Sequence, residues 1–89
     1  MITGDQMRTA RALLGIDQRE LAQRSGLSLP TIQRMESSDG VIRGNVDSLV
    51  KLVDALGASG IELINEGAVS QGGGRGVRLK SPRAGNGGN

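Results

Sequence analysis

The sequence contains no cysteine and no histidine, and it has no Phe, Tyr or Trp among its 89 residues. Disulfides and the usual thiolate or imidazole zinc sites are therefore excluded. So are the commonest general base and the most reactive nucleophile of enzymes. With no aromatic residue, a core must be assembled from Leu, Ile, Val, Met and Ala. A chain this short buries a modest share of its surface and often leans on disulfides, metals or association. The first two being closed, self-association is the remaining source of buried area. Apolar runs are also short, none approaching the roughly 20 residues that cross a membrane. Met1–Gly4 leads straight into polar sequence without the apolar stretch of a signal peptide. These absences together predict a cytoplasmic, prokaryotic chain with no membrane partner and no cofactor.

Charge is scarce in total but unevenly placed. The net is +2, yet residues up to Glu66 carry seven basic and nine acidic groups, a net of −2. Beyond them Arg75, Arg78, Lys80 and Arg83 stand without any acid, a net of +4. Such a basic end suits nucleic acid or another acidic surface, and equally a solubilising flexible terminus.

Caps and apolar spacing predict four helices. Thr3 and Gln6 have the spacing of a capping box, after which Met7, Ala10, Leu13 and Leu14 recur at helical intervals up to Gly15. Asp17 opens a second helix with Glu20 three residues on and turns Leu21 and Ala22 inward. Ser25-Gly26 breaks it after about two turns. Leu27 is placed to plug the core, and Ser28 caps a third helix from Leu29 to Glu36, with Pro30 in its harmless first turn. Ile32 and Met35 form its inner face. After a polar loop, Asn45 caps a fourth helix over Val46–Leu56, with Leu49, Leu52, Val53 and Leu56 on one stripe and Gly57 as its stop. Beyond Gly60 the pattern changes to two strand-like segments, Ile61–Glu66 and Gly76–Lys80, separated by the Gly-rich stretch Gly67–Arg75. A lone hairpin is marginal in water, so these strands should pack on the helices or pair with a second copy.

The stretch from Gln18 to Glu36 is the most informative. Two short helices joined by a tight Gly-containing turn cross steeply and project the second toward a DNA major groove. Ala22 is small where the helices cross, Gly26 permits the turn, and Leu27, Ile32 and Met35 hold the pair on the core. The residues Gln18, Leu21, Ala22, Gly26-Leu27-Ser28, Thr31-Ile32, Met35 and Glu36 together resemble the phage-repressor-like (XRE-type) helix-turn-helix regulators. The resemblance spans about Gln6 to Gly57. It implies a mainly α, lambda-repressor-like domain of four helices over residues 1–57, with a short C-terminal β-hairpin or dimerisation strands over 58–80. Residues 81–89 would form a disordered tail.

The same resemblance implies an ion pair between Arg11 and Glu36 and a division of labour on double-stranded DNA. Gln18, Ser28 and Thr31 would contact phosphates near helix N-termini. Gln33 and Arg34 would reach base edges, an amide fork for adenine and a guanidinium fork for guanine. Leu29 and Pro30, at the end that enters the groove, could only pack on thymine methyls or sugars, a departure from relatives with polar residues there. Arg43, in the following loop, is a further candidate for phosphate. The ordinary alternative for Gln33, Arg34 and Arg43 is a solvated surface.

Regulators of this size commonly act as dimers on inverted repeats, which makes Ile61, Leu63, Ile64, Val77 and Leu79 candidates for a sheet shared between two copies. A hairpin covering the chain's own core is the alternative. A glycine-rich phosphate loop is excluded because no Lys-Ser/Thr helix follows Gly72–Gly76. An enzyme is disfavoured, since the acids fall at caps and in loops, Lys51 sits on a helix flank and no second lobe is available. The strongest rival is an antitoxin, which would bind a toxin or co-regulator protein through its strands and tail while repressing its own promoter.

Overall fold

The computed structural model describes residues 2–64 and 76–80 of the chain. Four helices, α1 (Gly4–Leu14), α2 (Gln18–Ser25), α3 (Leu29–Glu36) and α4 (Val46–Ala58), are followed by strands β1 (Ile61–Ile64) and β2 (Gly76–Leu79). Each helix begins at a side chain able to satisfy an orphan backbone donor. Thr3, Asp17, Ser28 and Asn45 accept from the amides of Gln6, Glu20, Thr31 and Ser48 respectively. At Thr3 the box is reciprocal, because Gln6 Oε1 accepts from the Thr3 amide at 2.9 Å. The break between α2 and α3 falls at Gly26, whose φ of 75° is the left-handed conformation that other residues resist.

The core is aliphatic. Ile2, Met7, Ala10, Leu21, Ala22, Ile32, Met35, Ile42, Leu52, Leu56 and Ile61 form one cluster, with Leu14, Ile16, Leu27, Leu49, Val53, Leu63 and Val77 packed against it. Every element contributes, which is how a chain without aromatic rings closes around a single centre. Two members have no counterpart in the sequence pattern. Ile2 is fully buried and its carbonyl accepts from the Ile42 amide at 2.9 Å, while Thr3 bridges Val41. The segment before α1 is thus pinned to the loop after α3.

Two expectations need adjustment. Leu13, expected on the inner stripe of α1, is 42% exposed, because a helical step of about 100° separates it from Leu14, which packs against the core in line with Met7 and Ala10. Gly57 does not end α4: the helix continues to Ala58, and Ser59 and Gly60 close it with amides bonded to Ala55, Leu56 and Gly57. Of the two arrangements expected for the strands, the hairpin is found: β1 and β2 pair antiparallel with each other, Ile61 opposite Leu79 and Ile64 opposite Gly76. The hairpin lies on α1 and α4 of its own chain. The expected extension of β1 to Glu66 and the tail over 81–89 lie outside the described residues.

Candidate nucleic-acid interface

The geometry of α3 follows from its two turns. Ile32, Met35 and Glu36 are buried, and a helical step of 100° then leaves Pro30, Gln33 and Arg34 on the opposite, exposed face. Leu29 and Thr31 are half-buried on the two flanks. Of the two apolar residues expected at the groove-entering end, Pro30 therefore stands fully outward and Leu29 only at the side.

Both ends of α3 are tied down. At its start, Ser28 Oγ accepts from the Thr31 amide at 3.2 Å and donates to Thr31 Oγ1 at 2.9 Å. At its end, Arg11 grips the Glu36 carboxylate with two bonds, Nε to Oε2 at 2.5 Å and Nη2 to Oε1 at 3.0 Å. Glu36 is almost wholly buried and Arg11 mostly so. The hydrogen bond to Glu36 raises the Arg11 pKa further above the ordinary guanidinium value. Such a bidentate pair fixes orientation as well as charge.

Sequence reasoning missed two further partners of the same residue. Gln18 Nε2 donates to Glu36 Oε1 at 3.1 Å, and Arg8 donates to the Glu36 backbone carbonyl while also pairing with Asp5. Gln18, expected at a phosphate, thus spends one amide proton on the base of α3 and retains a second donor. Gly4 completes the support. A methyl group there would lie 2.6 Å from the Ser38 carbonyl oxygen and 2.9 Å from that of Glu36, so α1 and the end of α3 meet backbone to backbone.

The arginines divide into two sets. Among the described residues Arg8, Arg11, Arg24 and Arg78 spend their guanidinium groups on acceptors of the chain itself. Arg19, Arg34 and Arg43 make no side-chain hydrogen bond or ion pair there and are exposed. Arg34 stands on the outward face of α3 and Arg43 in the loop that follows. Arg19 was not singled out from sequence. It lies in the first turn of α2 beside Gln18, the end where a helix dipole disfavours a cation. A basic residue kept there without an internal partner is a candidate for an external anion.

The hairpin residues are also divided. Ile61 is committed to the chain's own core, Leu63, Ile64 and Val77 are half-buried, and Leu79 is 50% exposed. On the exposed side of the strands Arg78 Nε donates to Glu62 Oε1 at 2.8 Å, and this bond holds the Glu62 carboxyl below its ordinary value near 4.5. Among the described residues no group of acids could hold a metal ion, and no helix is long and apolar enough to cross a membrane.

Two crossed helices with a left-handed glycine between them, and an outward polar face on the second, define a helix-turn-helix protein. Residues 7–63 match the helix-turn-helix family model, and the chain belongs to that family, the DNA-binding transcriptional regulators of the phage-repressor-like (XRE) type. A comparison with curated proteins gives no match.

Proposed function

We propose that this regulator binds double-stranded DNA sequence-specifically as a homodimer, each copy presenting α3 to the major groove of one half of an inverted repeat. The observation that carries this reading is the partition of the arginines. Among the described residues the guanidinium groups of Arg8, Arg11, Arg24 and Arg78 are engaged internally, whereas those of Arg34, Arg43 and Arg19 are left for a partner rich in anionic oxygens. Gln33 and Arg34 read base edges in this scheme. Gln18, Ser28, Thr31, Arg19 and Arg43 fix the register on phosphates, and Leu29 with Pro30 supplies apolar contact. The hairpin joins the two copies through its exposed strand, with Leu79 at the contact. The reading places the protein in the cytoplasm.

Selection of bound fragments from genomic DNA gives the operator, and titration of that operator with variants tests the assignment. Arg34→Ala should lose about 1–3 kcal/mol and relax preference at one base pair. Arg43→Ala should weaken all sequences alike and lower the salt slope by about 1. Unchanged affinity and preference in Arg34→Ala would remove Arg34 as a reading residue.

A further inference from the structure

Gln6 does more than a helix cap requires. Its capping-box bond to the Thr3 amide needs only the side-chain oxygen, and a residue with that single duty ordinarily stands at the surface. Gln6 is 2% exposed. Its Nε2 donates to the Ile64 carbonyl at 3.2 Å and to the Gly76 carbonyl at 3.0 Å. Ile64 and Gly76 face each other in the strand register, at the loop-side end of the hairpin. One planar amide thus closes on both strands and on the start of α1.

The start of α1 is in turn seated on the reading helix. The Gly4 amide donates to the Gly40 carbonyl at 3.2 Å, and the site a Gly4 methyl would occupy is filled by the carbonyls of Ser38 and Glu36. A continuous run of contacts, made by the Gln6 side-chain amide at the hairpin and by backbone at Gly4, therefore leads from the strands to the end of α3. We infer that Gln6 is a positioning residue: it sets how the hairpin rides on the DNA-binding head, and so the separation and tilt of two heads joined by their hairpins. This role rests on the proposed dimer. The docking of the hairpin by Gln6 stands independently of it.

Gln6→Glu separates the two duties of the residue. Glutamate is a favoured capping-box partner and its charge suits a helix N-terminus, so a mere cap would be kept or improved. A carboxylate offers no donor to Ile64 or Gly76 and sets its charge against their oxygens. Gln6→Met, similar in size and lacking both functions, is the second variant. With the full chain, amide hydrogen exchange is followed in α2, α3 and both strands. Binding is titrated on the selected operator and on a fragment carrying one half of it.

In both variants the strand amides should exchange about tenfold faster or more, while those of α2 and α3 stay within about twofold of the parent. Affinity for the single half should stay within about twofold, and the advantage of the complete operator should fall about tenfold or more. The assignment is overturned if strand exchange in both variants equals that of the parent, or if helices and strands accelerate together. A parent that gains nothing from the second half would defeat the dimer reading alone, and strand exchange would then still decide whether Gln6 docks the hairpin.

Discussion

Glu36 shows how much of this small protein hangs on one side chain. Arg11 holds its carboxylate from one side, Gln18 bonds the same carboxylate and Arg8 bonds its carbonyl. Removing one member of a buried pair strands the other charge, a larger loss than the pair's own net worth. Arg11→Ala should therefore cost about 3 kcal/mol, the low end of the usual range because the guanidinium keeps some solvent contact. Urea denaturation measures it, and a midpoint equal to the parent's would show the pair to be dispensable. The pair will give no pH signature in the ordinary range on the arginine side. A raised pKa contributes stability at all pH values below it, and that contribution is lost only in strong alkali. Glu62 behaves oppositely. Its lowered pKa contributes above the ordinary value near 4.5 and is lost as pH falls through the lowered value. An NMR titration should place the Glu62 midpoint below 4.5, and Arg78→Gln should return it toward 4.5. Coinciding curves would show that the exposed bond is not formed in solution.

Among elements, the helices were legible in the sequence and the supports between them were not. Thr3, Asp17, Ser28 and Asn45 act on amides three residues away, so their meaning is local. The outward face of α3 follows from a 100° step and the two apolar residues Ile32 and Met35. Gln6 looks complete as a cap, and nothing near it in sequence reveals carbonyls 58 and 70 residues distant. Ile2, Gly4 and Arg8 were hidden likewise, since their partners lie in the loop after α3 or at its end. The Arg11–Glu36 pair came only from family resemblance. Glycines test this distinction. In α1, Gly4→Ala drives a methyl into backbone carbonyls that cannot swing aside, and about 1–3 kcal/mol should be lost. In α4, Gly57 has open space and a helical backbone, so Gly57→Ala should gain about 0.5–1 kcal/mol. Thermal melts of the two variants should move in opposite directions, and a shift of the same sign in both would contradict the packing described.

At the level of the whole molecule, the hairpin alters how the proposed dimer must be tested. Cutting the chain at Gly60 would remove Ile61 from the core and confuse loss of pairing with loss of fold. Leu79→Glu instead places a charge on a half-exposed strand position and leaves the core intact. Sedimentation should show a monomer with parental helix content by circular dichroism. A variant that remains dimeric would move the interface elsewhere. The clamp on α3 has a different consequence. Ser28 fastens one end of that helix, and Arg11, Gln18 and Arg8 fasten the other, all from positions off its outward face. The side chains of Pro30, Gln33 and Arg34 contribute no bond to this fastening, so they can be randomised without touching what keeps the scaffold folded. The protein is accordingly a natural platform for retargeting. A library at those three positions, selected against new operators, should yield altered specificities whose melting temperatures cluster around that of the parent.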